Sequence, residues 1–225
     1  MPTSQDLIRS LRDQPLLIVL RPGEPMAALE VLQRLEGLGV RHVEIAWQPQ
    51  AGWTTQMAEL IKRLPGLRLG AASVCLPKGV EAAAAAGCRY VVSPVLDPAL
   101  IRRARELDVA LVPGVLSPSE VHSARQQGCD IVKLFPAVTV GPGHWRRLRE
   151  PLGQPLPFCI AAGGLTPKDV LPWLAAGVDA VALGSGLGEL PAEDWRALLS
   201  QLSDTSAHPP NLEASQHLPA GMGQG

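Results

Sequence analysis

Gly128-Cys129-Asp130-Ile131-Val132-Lys133-Leu134-Phe135-Pro136-Ala137 reads as the end of a helix, a charged turn and a short buried strand. The glycine stops the helix, Cys129 packs, Asp130 turns the chain, and an apolar run follows that is closed at Pro136. The run has little polar alternation, as expected of a strand covered on both faces of a parallel sheet. The same shape recurs at Gly39-Val40-Arg41-His42-Val43, Gly87-Cys88-Arg89-Tyr90-Val91 and Gly177-Val178-Asp179-Ala180-Val181. A unit repeated in this way points to a strand–helix array.

Outward from that stretch, strands are expected at 16–20, 42–46, 68–72, 90–93, 110–112, 131–134, 158–161 and 180–183. Helical patterns lie between them at 25–38, 53–64, 77–86, 97–107, 118–127 and 167–176. Ser117-Pro118 and Thr166-Pro167 have the form of helix starts, a capping hydroxyl followed by proline. Eight such units predict the α/β class and a (β/α)8 TIM barrel. An open doubly wound sheet competes less well, because no G-x-G-x-x-G follows the first strand. The expected organisation is a single barrel domain over residues 1–200 and a disordered, Pro/Gly-rich tail over 201–225.

The chain has 225 residues, 46% apolar and 18% charged, with a formal net charge of −1. That composition supports one sizeable core and gives no electrostatic footprint for nucleic acid. No apolar stretch is long enough for a membrane span, and no apolar signal core follows Met1, so a cytoplasmic protein is expected. The four cysteines are dispersed and are expected to be buried, reduced thiols. The five histidines show no metal-ligand spacing, so neither metal nor other cofactor is expected.

Lys133 is the conspicuous residue. An ammonium in an apolar strand is costly unless it is paired or shifted toward the neutral amine, and a neutral amine attacks carbonyls. A strand-end lysine whose stem packs while its head reaches water is the competing reading. Glu44, flanked by Val43 and Ile45, fits a general acid–base with a raised pKa or a paired rim carboxylate. Arg21, after the first strand, fits an anion contact or a rim ion pair. Small residues around Ser73 allow a ligand close to the backbone, where the serine hydroxyl can donate to a carboxylate, and a tight loop explains them equally well. Gly163 and Gly164 after the seventh strand, with Gly184 and Ser185 after the eighth, lie where barrels commonly hold phosphate, and turn glycines are the competing reading.

Taken in order, Val43-Glu44-Ile45, Gly70-Ala71-Ala72-Ser73-Val74, Val92-Ser93-Pro94, Val112-Pro113-Gly114-Val115, the Lys133 run, Ala162-Gly163-Gly164 and Leu183-Gly184-Ser185 resemble the 2-keto-3-deoxy-6-phosphogluconate (KDPG) aldolase family. That family includes the phosphogalactonate and 4-hydroxy-2-oxoglutarate aldolases, and the resemblance covers about residues 7–190. It implies a class I, Schiff-base aldolase that acts on a small keto-acid phosphosugar. A homotrimer and a place in Entner–Doudoroff carbohydrate metabolism are also implied. The imine-forming lysine maps to Lys133 and the acid–base glutamate to Glu44. Substrate contacts map to Arg21, Gln48, Ser73 and Pro94, and the phosphate site to Gly163, Gly164, Gly184 and Ser185; Phe135 fits either an apolar wall for the pyruvate methyl or a core phenylalanine.

Two positions depart from the common pattern. Gln48 stands where many phosphogluconate aldolases carry arginine; Gln48 together with Arg21 leans toward the phosphogalactonate branch. Ala72-Ser73 replaces the usual Gly-Thr, which keeps a hydroxyl and adds a methyl group. The principal expectation is cleavage of KDPG to pyruvate and glyceraldehyde 3-phosphate. The alternatives are phosphogalactonate or 4-hydroxy-2-oxoglutarate cleavage, oxaloacetate decarboxylation by the same lysine, and a non-catalytic phosphosugar-binding barrel.

Overall fold

The computed structural model describes residues 4–184 and 191–207. Its element order is α1 (Ser4–Asp13), β1 (Leu16–Leu20), α2 (Leu29–Gly37), β2 (His42–Ala46), α3 (Trp53–Arg63), β3 (Arg68–Ala72), α4 (Pro77–Ala86), β4 (Tyr90–Val92) and α5 (Pro98–Glu106). There follow β5 (Ala110–Val112), β6 (Gly114–Val115), α6 (Pro118–Gln126), β7 (Ile131–Leu134), α7 (His144–Arg147), α8 (Arg149–Leu152), β8 (Phe158–Ala162), α9 (Val170–Ala175), β9 (Ala180–Leu183) and α10 (Ala192–Ala207). Short 3-10 turns at Pro25–Ala28 and Pro167–Asp169 lead into α2 and α9.

All paired strands are parallel, in the order β5-β4-β3-β2-β1-β9-β8-β7-β6. The two ends of that series are consecutive in the chain. Pro113 separates them: it has no N–H to donate, but its carbonyl accepts from the Lys133 amide at 2.8 Å. β5 and β6 therefore share one of eight positions in a (β/α)8 barrel, and the expected fifth strand extends past its expected end at residue 112 to Val115.

Period-2 alternation divides the core into two layers. Outward residues such as Ile18, Val43, Ile45, Val91, Val132, Leu134, Val181 and Leu183 pack against the helices. Inward residues, among them Leu17, Val19, Tyr90, Val92, Val112, Ile131, Phe158 and Ile160, fill the barrel. Leu7, Ile8 and Leu11 of α1 join this inner layer at the amino ends of the strands. Helix starts follow the sequence signals, with a capping box between Ser117 and Glu120 on α6 and another between Thr166 and Asp169.

Four features differ from expectation. No element was expected before residue 16, yet the amphipathic α1 occupies Ser4–Asp13. The stretch between β7 and β8 carries α7 and α8. The domain boundary expected at residue 200 falls inside α10, which continues to Ala207 with Leu202 buried; the tail beyond lies outside the described residues. Cys88 and Cys159 are buried, but Cys75 is exposed on the loop after β3. Among the described residues no helix is long and apolar enough to cross a membrane.

Candidate active site

The inward side chains shrink toward the carboxyl ends of the strands. Where Leu17, Ile131, Phe158 and Ile160 fill the lower barrel, Ala72, Ala162 and Ala182 stand at the top. The missing bulk leaves a cavity of about 270 Å³ bounded by these alanines and Val19. Glu44 and Lys133 both line it.

Their strands explain why. On β7, Ile131 faces inward while Val132 and Leu134 face the helices, so Lys133 must also point inward. On β2, Val43 and Ile45 face the helices, which turns Glu44 to the interior. Counting β2, β3, β4, the shared β5/β6 position and β7, the two strands stand opposite each other in an eight-place ring. Glu44 is 3% exposed and Lys133 9%, so neither charge has bulk water to sustain it.

The electrostatic consequences run in opposite directions. Burial pushes the Glu44 carboxyl up, to about 7, against the pull of the Lys133 and Arg21 charges. Burial pushes the Lys133 amine down, to about 8, helped by Arg21 and opposed by Glu44. At pH 7 such a lysine is neutral roughly one time in ten, against about one in three thousand for an exposed lysine. Either group can thus take up or release a proton at little cost near neutral pH, as general acid–base catalysis requires.

The rim completes the cavity. Arg21, just after β1, donates from its guanidinium to the Ser73 hydroxyl at 2.8 Å, so the bond spans the end of β2. Ser73 holds a left-handed backbone (φ 59°), a conformation that non-glycine residues adopt rarely and often at functional sites. Phe135 lies beneath the lysine, with Lys133 Nζ 4.7 Å from its ring centre. Gly163 (φ 97°) and Gly164 (φ 78°) follow β8 and Gly184 follows β9, all lining the same mouth. A Cβ on Gly163 would come within 2.9 Å of the Phe135 ring, so only glycine lets that loop approach.

Of the eleven residues expected from sequence, these eight come together. Gln48 does not line the cavity. It donates to the Pro22 carbonyl at 3.2 Å and, with Gln50 on the Gly23 carbonyl, tethers the loop that carries Arg21. Pro94 does not line it either. Its carbonyl would be 2.3 Å from a Cβ on Gly114, so it packs against β6, the strand beside the lysine strand. Ser185 lies outside the described residues. Sequence reading missed Ala162 and Ala182 as makers of the cavity and Gln50 as a tether of the Arg21 loop, and it gave Gln48 a substrate contact rather than that tethering role; alanine in an apolar strand carries no signal of its own.

The family model described as KDPG and KHG aldolase matches residues 7–200. A 2-dehydro-3-deoxy-6-phosphogalactonate aldolase of Escherichia coli K12 is 31% identical over 175 residues, covering 77% of this chain and 84% of that protein. A 2-dehydro-3-deoxy-phosphogluconate aldolase of Pseudomonas aeruginosa is 32% identical over 170 residues, 75% of this chain and 74% of that protein. The crystal structure of the Zymomonas mobilis 2-keto-3-deoxy-6-phosphogluconate aldolase with 3-phosphoglycerate superposes with a TM-score of 0.70 at 26% identity, over 87% of this chain and 94% of that one.

Proposed function

This chain belongs to the KDPG and KHG aldolase family, and on that premise we propose that it cleaves 2-keto-3-deoxy-6-phosphogluconate to pyruvate and glyceraldehyde 3-phosphate through an imine on Lys133. That it is an aldolase, a carbon–carbon lyase, follows from the family; the covalent route and the substrate are our reading. One observation carries it: a buried amine with a depressed pKa and a buried carboxyl with a raised one line the same small cavity.

In this reading the neutral Lys133 amine attacks the C2 ketone, and Glu44 relays protons as the carbinolamine loses water. The protonated imine draws the electron pair of the C3–C4 bond as that bond breaks. Glu44 takes the proton of the C4 hydroxyl, and glyceraldehyde 3-phosphate leaves. The resulting enamine is protonated at C3, and hydrolysis of the imine releases pyruvate and frees Lys133. Arg21 and Ser73 offer a cation and a hydroxyl for the keto-acid carboxylate, and the glycines after β8 and β9 offer backbone N–H groups for the distal phosphate.

A second substrate, the C4-epimeric phosphogalactonate derivative, is favoured by the pairing of Gln48 with an Arg21 that lines the cavity. Borohydride reduction in the presence of pyruvate tests the covalent step: the adduct is expected on Lys133, and an unmodified Lys133 peptide would refute the imine. Pyruvate release from the two C4-epimeric substrates, assayed side by side, decides between them.

A further inference from the structure

The other mouth of the barrel carries a second feature that aldol chemistry does not use. At five of the strands a charged residue turns the chain into the strand or opens it, and its sign is segregated around the ring. Arg41 precedes β2, Arg68 opens β3 and Arg89 precedes β4, three adjacent strands, whereas Asp130 precedes β7 and Asp179 precedes β9. Aspartate at equivalent turns shows that the fold does not demand arginine there. On the acidic side the charges are taken up: Asp130 accepts from Gln5 at 3.2 Å and Asp179 from the Cys159 amide at 2.8 Å.

The basic side opens into a cavity of about 720 Å³ lined by Arg41, Arg68 and Arg89, with Arg9 added from α1 and opposed only by Asp6 and Asp13. Arg9 pairs with Asp6, and Arg41 lies 3.9 Å from Asp13. Arg68 and Arg89 make no ion pair or side-chain hydrogen bond among the described residues. His42 is buried at this end of the barrel and bonds through Nε2 to Ser10, which is itself in the cavity wall. Burial pushes the His42 pKa down, to about 3, and the Arg68 and Arg41 charges act in the same direction.

We propose that this amino-terminal mouth is a binding site for a small molecule carrying at least two phosphoryl charges, held by the Arg68 and Arg89 guanidiniums with Arg41 and Arg9 at its edge. Planar guanidiniums match phosphate oxygens in pairs, and two unpaired forks at one cavity suit a diphosphate or bisphosphate better than a single carboxylate. The volume is that of a metabolite pocket. The net charge of −1 over the whole chain argues against an extended polyanion. The site lies at the opposite end of the strands from Lys133 and does not rest on the function proposed for that residue.

Isothermal titration of the full chain with inorganic pyrophosphate at low ionic strength, repeated on Arg89→Gln and on Arg68→Gln/Arg89→Gln, tests this. Wild type is expected to bind, the single variant to bind several-fold more weakly and the double variant at least tenfold more weakly, with aldolase activity and thermal midpoint kept. Arg89 is exposed, so the single variant remains informative should the double fold poorly. Absence of binding to wild type, or an affinity unchanged in Arg89→Gln, as binding confined to the catalytic mouth would give, overturns the proposal.

Discussion

Lys133 Nζ stands 4.7 Å from the centre of the Phe135 ring, on the floor of the cavity. An aromatic face favours a cation by about 1 kcal/mol, and so supports both an ammonium and a protonated imine on that nitrogen. Burial nevertheless wins for the free amine, whose pKa stays well below that of an exposed lysine. On the proposed route the ring therefore matters most once the imine cation has formed. Phe135→Leu is expected to leave the fold intact and to slow cleavage about fivefold, the rate equivalent of about 1 kcal/mol. Steady-state kinetics check this; an unchanged kcat would show that the ring only fills space.

The lysine and glutamate titrations are linked. Glu44 raises the Lys133 pKa while burial and Arg21 lower it. The rate of borohydride trapping with pyruvate should rise with pH through about 8, not 10.5, because only the neutral amine attacks. In Glu44→Gln the opposing negative charge is gone, so the midpoint should move further down while turnover becomes slow. A midpoint that moves up would reverse the assigned electrostatics.

Gly163 tests how tightly the mouth is built. A Cβ there meets two Phe135 ring carbons at 2.9 Å and the Pro136 Cα at 3.1 Å, on a backbone with φ 97°. Gly163→Ala is expected to destabilise by roughly 1–3 kcal/mol and to lower kcat/KM by displacing the ring under Lys133. Gly141→Ala is the control: its φ is 75°, but nothing lies within 4 Å of the added methyl. Urea unfolding of both separates backbone cost from collision. Equal losses in stability and activity would rule out the Phe135 contact as the cause.

The barrel was legible because its strands are short apolar runs punctuated by the Gly-apolar-charged turn, and the eight positions all appear. Lys133 and Glu44 were legible because each is an ionisable group in such a run. Less legible was anything that depends on what a side chain lacks or on where a polar group docks. The alanines at the top of β3, β8 and β9 open the cavity by their small size, yet in sequence they look like core. Gln48 matches a substrate-contact position in the family pattern, yet here its amide is engaged by the Pro22 carbonyl. α1 escaped notice because three apolar residues in ten make a narrow stripe, sufficient only because the open end of a barrel needs a small plug.

His42 offers a stability test at the far end of that barrel. It is fully buried, bonded through Nε2 to Ser10 at 2.7 Å, and burial, then Arg68 and Arg41, push its pKa down to about 3. The folded protein keeps the imidazole neutral, whereas the unfolded chain takes up a proton below about 6.5. The stability this group supports is thus present above pH 6.5 and is lost as pH falls toward 3, by roughly 2 kcal/mol at pH 5. Glu44 acts in the opposite sense: its raised pKa gives stability that is present below 4.5 and lost as pH rises through about 7. The wild-type profile mixes the two, so the decisive quantity is the difference from His42→Gln, which keeps a polar partner for Ser10 without titrating. Between pH 7.5 and pH 5 wild type should lose roughly 2 kcal/mol relative to the variant in urea unfolding. Parallel profiles would mean that the folded barrel accepts a proton on His42, and with it a charge among Arg41 and Arg68 that burial should forbid.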